Sequence, residues 1–297
     1  MDVVVTGGTG YVGRHVATAL NAAGHHVICL ARHPERSIMP GCDCDLMAGD
    51  VTEPASLKGT IPHGAVIVHL VAIIREKGGQ TFDGVIAKGT RDLVAAARAA
   101  GAARIVYVSA IGADAAGSTP YFRAKAAAED AVRSSGIPYV ILRPSFVFGP
   151  DDEVFNTFAR LSGRLPVLPV MGDGRYLIQP VAAWDLAAVI ARAVGPGRWE
   201  GKTYDAVGPQ AISFNEAMQA VMAAAGHRRH ILHLPLAVAR LLASVGPKIT
   251  AKAPLTRDQL TMLLEGSTGD PGPMQRDFGI TPTAFAEGIG RYLARPA

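Results

Sequence analysis

Cysteine is scarce in this chain, with three residues in 297, two of them in the stretch CDCD (Cys42 and Cys44). An odd count at that spacing builds no disulfide framework and lacks the C-x-x-C step of a zinc site, so no metal centre is expected and a reducing compartment suits the chain. Charge is sparse too, at 18% of residues, with a net charge of +4 and a pI of about 9.0. That balance permits weak attraction to anionic membranes or nucleotides. Aromatics are 6% of the chain, and no basic stripe interleaves with them to mark a reader of nucleic acid. Long apolar runs are missing as well. Hydrophobic residues make up 49% of the sequence, yet they fall in short strand-like runs and Ala-rich amphipathic segments, none long enough to cross a bilayer. Met1 leads straight into DVVVTGG, a buried-strand pattern that leaves no room for a leader ahead of the fold. The expected location is cytoplasmic, with peripheral attachment at the inner face of the membrane as the alternative.

What the first half has is alternation. DVVVTG reads as a strand and Tyr11 to Ala23 as a helix. There follow HHVICLAR, AVIVHLVA, a helix through DLVAAARAAG, ARIVYVSA, a helix over PYFRAKAAAED, and PYVILRPSFVFG. Strand, helix, strand in regular succession implies right-handed crossovers and an α/β fold with a doubly wound parallel sheet. After Gly149-Pro150 the pattern loosens into LSGRLPVLPVMGDG; a helix returns at AAWDLAAVIARAV, and a less regular tail follows from Gly195. The expected division is a larger α/β domain over 1–150, rejoined by 176–195, and a smaller lobe of 151–175 and 196–297.

The opening turn, VVVTGGTGYVGRHVATAL, carries the strongest signal. Gly7, Gly10 and Gly13 sit where the chain leaves a strand, turns tightly and starts a helix, so backbone N–H groups can reach a pyrophosphate. Gly8, Gly10 and Gly13 fit the G-x-G-x-x-G register equally, which leaves the sub-type open. Thr9, Tyr11 and Val12 complete the expected cradle. An acidic residue at the end of the second strand would hold the ribose 2′-hydroxyl of NAD. ICLARHPER offers Arg32 there, with Arg36 nearby and no carboxylate before Glu35, which fits a 2′-phosphate and argues for NADP(H) over NAD(H). Asp50 and Val51 follow the third strand, where Asp50 could meet the adenine amino group. Leu70, Val71 and Ala72 after the fourth strand, and Pro144, Ser145 and Phe146 after the sixth, are expected along the rest of the cofactor.

Together the glycine turn, GDVTEPASL, VIVHLVAIIREKGGQTF, the pair Tyr121 and Lys125, and LRPSFVFGP resemble the short-chain dehydrogenase/reductase superfamily, in its extended or atypical branch. More narrowly, HLVAIIREKGGQTF, YFRAKAAAED, QPVAAWDLA and LTRDQLTMLL are similar to the bacterial relatives of subunit NDUFA9 of respiratory complex I, an NADP(H)-binding family. The resemblance covers nearly the whole chain and implies a Rossmann domain, a small C-terminal lobe and a bound nicotinamide cofactor. It implies no particular reaction, since the mitochondrial relative is an accessory subunit.

In that superfamily the tyrosine is the acid/base for the substrate oxygen, and its ordinary pKa near 10 is too high for work at neutral pH. An ammonium four residues on, on the same helix face, lowers it and can also hold the nicotinamide ribose. Tyr121 and Lys125 match those positions. The superfamily's carbonyl-polarising serine or threonine falls at Ile111, leaving Ser109 as the first displaced candidate with Ser118 and Thr119 as alternatives, and its customary Asn falls at Ile86.

Elsewhere, His69 reads as a packed strand residue and HRRHILH as an exposed strand or turn rather than a metal site. The apolar helix over 234–246 reads as packing in the small lobe, with a membrane-facing or lipid-substrate role as the alternative. Two functional readings stand. One is an NADP(H)-dependent oxidoreductase with a bulky, apolar or quinone-related small-molecule substrate. The other is a non-catalytic NADP(H)-binding accessory or sensor protein attached to respiratory complex I or quinone-biosynthetic machinery.

Overall fold

The structure is a computed structural model that describes residues 1–37, 39, 41–249 and 255–294, with the backbone alone for 246–249. Its frame is six strands, β1 (Asp2–Thr6), β2 (His26–Ala31), β3 (Cys44–Ala48), β4 (Val66–His69), β5 (Arg104–Val108) and β6 (Tyr139–Pro144), and a seventh at Lys202–Ala206. They form one sheet in the order Lys202–Ala206, β6, β5, β4, β1, β2, β3, every neighbouring pair parallel. This is the expected Rossmann-like, doubly wound α/β arrangement. Strands covered on both faces need apolar side chains pointing both ways, so β4 and β5 are buried throughout and β1 from Val3 onward, while the edge strand β3 alternates and reaches solvent. The strand order reverses between β1 and β4, and the crevice at their carboxyl ends is where such sheets take ligands. The crossover helices include α1 (Tyr11–Ala22), α2 (Gly89–Ala100) and α3 (Pro120–Arg133). α1 packs against the helix Ala183–Ala193, and α2, which continues a π-helical turn at Asp83–Lys88, packs against α3.

The chain divides into two compact units: Met1–Pro144 with Ala183–Ala206 and Pro271–Ile280, and Ser145–Ala182 with Val207–Asp270 and Thr281–Ala297. The boundaries differ from the sequence expectation in four places. Residues 145–150 and 176–182 fall in the second unit because Val181–Ala182 pairs in parallel with Val147–Phe148 and Leu177–Ile178 pairs with Ile212–Ser213. Residues 196–206 add the seventh strand to the sheet. The short helix Gly272–Phe278 joins the first unit as well: Phe278 stacks on Trp199 at 4.8 Å, and Asp277 accepts hydrogen bonds from Tyr204 and Lys202.

The second unit is built from short strand pairs and helices around an aromatic centre in which Phe285 lies 5.0 Å from Phe148 and 4.8 Å from Phe155. Its longest pairing joins Val167–Met171 to His230–Leu234, so part of HRRHILH is an exposed strand. The apolar stretch after it forms the helix Leu236–Ile249. Among the described residues, no helix is long and apolar enough to cross a membrane.

Candidate cofactor and active site

The glycine turn uses all four of its glycines, for different reasons. Gly7 has φ +75°, the left-handed region, and a side chain there would press on the backbone of Val71 at 3.2 Å. At Gly8 a Cβ would lie 2.6 Å from the Cys29 sulfur, and at Gly13 it would lie 2.2 Å from the Gly7 carbonyl oxygen. These three are demanded by packing. Gly10 is different: its Cβ would meet one atom, the Gly7 oxygen at 3.2 Å, and it caps α1 from ordinary extended backbone. The space above Gly10 is open, and α1 has neither a side-chain cap nor an acidic residue in its first turn. An uncapped helix end over an open glycine cradle fits the pyrophosphate of a dinucleotide, with Thr9, Tyr11 and Val12 supplying backbone.

The neighbouring positions gather around this turn to different degrees. Leu70 donates its N–H to the Thr6 carbonyl at 3.1 Å and Val71 lies beside Gly7, so the chain leaving β4 toward Ala72 runs along the turn. Asp50 turns one carboxylate oxygen back on its own loop, accepting from the N–H and hydroxyl of Thr52, both at 2.8 Å. Val51 is buried close to Gly89 of α2. Arg32 is exposed directly after β2, and Arg36 is exposed beside Glu35 at 3.6 Å. Pro144 ends β6, whereas Ser145 and Phe146 belong to the second unit. There Ser145 donates to the Ser267 carbonyl at 2.8 Å and the Phe146 carbonyl accepts from Val181 at 2.9 Å.

α3 carries the candidate catalytic pair. Thr119 caps it, accepting from the Phe122 N–H at 3.3 Å, and Pro120 starts it with a preset φ. Tyr121, Lys125, Glu129 and Arg133 then follow at intervals of four, one column down the helix. Tyr121 is half-buried, its ring edge-on to Phe82 at 5.7 Å and tilted against Phe122 at 5.8 Å. Lys125 is 2% exposed; its ammonium donates to the Val108 carbonyl at 2.9 Å and sits 5.2 Å over the Tyr107 ring. Glu129 is wholly buried and clasped by Arg143 of β6 through two hydrogen bonds of 2.7 and 2.6 Å, and by Arg133 at 2.6 Å.

Burial sets the ionisation here. It lowers Lys125 to about 7, against the pull of the Glu129 charge, and raises Tyr121 to about 12. In this arrangement Lys125 therefore does not bring Tyr121 toward neutrality, contrary to the sequence expectation; its ammonium is committed to the Val108 carbonyl. At Glu129 burial pushes the carboxyl upward, but the hydrogen bonds and charge of Arg143, with the hydrogen bond from Arg133, outweigh it and hold the carboxyl low. Ser109, buried at the end of β5, donates its N–H to the Leu142 carbonyl at 2.7 Å, and its buried hydroxyl has no hydrogen-bond partner among the described residues. Ile111 donates its N–H to Pro144 at 3.0 Å, and Ile86 is buried in the π-helical turn.

His69 is fully buried and carries more than packing. Thr90 donates its hydroxyl proton to the Ile86 carbonyl at 2.6 Å, so its 2.9 Å contact with His69 Nε2 is a bond it accepts. Nδ1 then accepts from the Thr6 hydroxyl at 2.6 Å. Burial, with Lys125 nearby, lowers His69 to about 3 and keeps the ring neutral. The ring stacks on Tyr107 at 5.4 Å. The chain from Thr6 to Ile86 ties the last residue before the glycine turn to β4 and to the π-helical turn. Sequence reading missed Tyr107, Glu129, Arg143 and Thr90; the spacing of four down α3 was the one signal that could have found Glu129. Two of the three histidines of HRRHILH go to separate partners, His227 to Ser162 and His233 to Asn215.

These features define a nicotinamide-dinucleotide-binding protein. A family model described as NAD(P)H-binding matches residues 7–195, and the chain belongs to that family. Its relatives include the ceramide reductase of Caulobacter vibrioides, 33% identical over 172 residues that are 58% of this chain and 54% of that protein. The 2-alkyl-3-oxoalkanoate reductase of Stenotrophomonas maltophilia is 26% identical over 100% of both chains. The mitochondrial NADH dehydrogenase (ubiquinone) 1 alpha subcomplex subunit 9 of Arabidopsis thaliana is 26% identical over 84% of this chain and 64% of its own. The chain thus spans less than two thirds of the ceramide reductase and of the respiratory subunit. Among solved structures, UDP-glucose 4-epimerase from Thermotoga maritima matches with a TM-score of 0.77 at 17% identity, covering 99% of this chain and 97% of that one. At that identity the likeness is one of fold.

Proposed function

We propose that this chain is an NADP(H)-dependent oxidoreductase that reduces or forms a carbonyl on an apolar small molecule. The observation that carries the reading is the column Tyr121, Lys125, Glu129 on α3, which sets a phenol and an amine on one helix face with a buried counter-charge behind them. When bound, the nicotinamide supplies or accepts the hydride. The protein's share is to hold the pyrophosphate on the Gly7–Gly13 turn, to meet the 2′-phosphate with Arg32 and Arg36, and to move a proton. Tyr121 passes that proton to or from the substrate oxygen, while Lys125 holds the ribose and, once the cofactor draws its ammonium from Val108, favours the phenolate. An apolar substrate is supported by two relatives named for ceramide and for 2-alkyl-3-oxoalkanoates.

The test is turnover of NADPH with a panel of long-chain ketones and quinones. Tyr121→Phe should cost on the order of a hundredfold or more in rate while hardly changing NADPH affinity, because the ring stays in place and the proton carrier is gone. Turnover surviving intact in that variant would remove Tyr121 from the chemistry. The second reading, a cofactor-binding accessory or sensor protein of a respiratory or quinone-related assembly, is favoured by Ile111 at the customary serine position and by the respiratory subunit among the relatives. It predicts NADPH binding with no oxidation above background on any member of the panel.

A further inference from the structure

We propose that the second unit carries a docking surface for a bilayer rich in anionic lipid, built around the helix Leu236–Ile249. The first observation is one of charge. Residues 217–257 contain Arg228, Arg229, Arg240, Lys248, Lys252 and Arg257 and no aspartate or glutamate, with Lys248 and Lys252 counted from the sequence alone. The whole chain is +4, so with +6 in this segment the remainder is −2. The basic character of the protein is thus concentrated in one stretch.

The second observation is the helix itself, which has two apolar faces. Ala239 and Ala243 are buried against Leu260, with Met171, Leu255 and Leu264 around them. That contact accounts for one face. On the other, Val238, Leu241, Leu242 and Val245 follow the i, i+3, i+4, i+7 pattern of a single stripe, at 42, 63, 52 and 42% exposure. Leu232, on the strand that enters the helix through Pro235, is exposed too. Lone exposed leucines are ordinary, but a full stripe marks a contact surface.

The third observation is what borders the stripe. Arg240 and Ser244 lie on the flank of the same helix and face Arg257 across a groove of about 470 Å³ floored by Leu260 and Leu264, with Glu265 also on its wall. Arg257 reaches over to the Ser244 hydroxyl. An apolar stripe beside paired arginines suits a helix lying in the plane of a membrane, with leucines among the acyl chains and guanidinium groups at the phosphates. A second copy of this chain is the poorer occupant, since it would bring a like-charged segment against this one.

Sedimentation of the full chain with vesicles tests this. The protein should pellet with vesicles of phosphatidylcholine mixed with phosphatidylglycerol, remain in solution with phosphatidylcholine alone, and be released by salt. The Leu241→Asp, Leu242→Asp double variant should abolish pelleting. The Arg240→Gln, Arg257→Gln double variant should weaken it by roughly fivefold per arginine. Both variants should keep the NADPH affinity and melting temperature of the parent, which separates this surface from the cofactor site. The proposal is overturned if the parent ignores anionic vesicles, or if the leucine variant pellets as before. It is also overturned if sedimentation velocity shows a dimer that the leucine variant dissolves.

Discussion

The N-terminal ends of α1 and α3 lie in one unit, and they prepare for a ligand in opposite ways. At α1 nearly everything is backbone: the turn holds four glycines, no side chain caps the helix, and its dipole end is left for an anion. α3 instead is crowded with side chains, a capped start followed by a buried lysine, a buried glutamate and two arginines that hold the glutamate in place. The first region would recognise charge by leaving room. The second holds charge inside the protein, where each group depends on the next. A change at Gly10, the one glycine of the turn that packing does not fix, should therefore alter binding more than stability, and a change in the α3 column should move stability and pH response together.

The sharpest break of that contrast is Gly10→Val. It should abolish NADPH binding in calorimetry while lowering the thermal melt far less than a change at Gly8 or Gly13, because a side chain at Gly10 would meet a single atom, the Gly7 oxygen at 3.2 Å. Retained affinity would mean that the turn is purely structural. Glu129→Gln should cost about 3 kcal/mol by chemical denaturation, since it leaves Arg133 and Arg143 without their buried partner. The folded carboxyl is held low, so its stabilisation is complete above the ordinary carboxylate range and fades as pH falls through the folded value. The parent should lose stability in acid more steeply than the variant, and parallel pH curves would contradict the clasp.

Lys125 supplies a test of opposite sign. Its folded value of about 7 lies below the ordinary 10.5, so the unfolded chain binds more protons at this amine between those limits and the lysine's own contribution to stability should rise from pH 7 toward 10.5. Lys125→Met should lack that rise and should also bind NADPH less tightly. A parent whose pH dependence matches that of the variant over that range would show the amine to be fully charged in the fold, since the Cys29 and Cys42 thiols, whose raised values lower stability above pH 9.0, are common to both. The smallest effect is expected at Arg32→Ala, about tenfold weaker NADPH binding with NADH unchanged, as suits an exposed arginine facing a single phosphate. Equal losses for both cofactors would remove Arg32 from the choice between them.

How far these features were legible depends on distance along the chain. The glycine turn and the pair Tyr121 and Lys125 are local patterns, and helix periodicity alone puts the pair on one face. The sheet followed from alternating apolar runs. Glu129 was within reach by the same periodicity, but its meaning was not, because Arg143 reaches it only once β6 lies beside α3. The histidine chain joins Thr6, His69 and Thr90 across gaps of 63 and 21 residues. The helix Gly272–Phe278 returns to the first unit through Trp199 and Tyr204, and no composition shift marks that return. Nor did the pattern of α3 disclose that burial would dominate its ionisation.

The hydrogen bonds around His69 have a direction. Thr6 gives to the ring, the ring gives to Thr90, and Thr90 gives to a carbonyl that has no proton to hand on. Such a wire conducts nothing: its last member is a dead end, and reversing it would leave the Ile86 carbonyl facing a lone pair. The imidazole nearest Lys125 is thereby insulated from proton traffic, despite being the side chain best known for carrying it. If Tyr121 gives up its proton in each cycle, the replacement must reach it by a route that does not pass through His69, so the response of turnover to heavy water should be the same whether or not that imidazole is present.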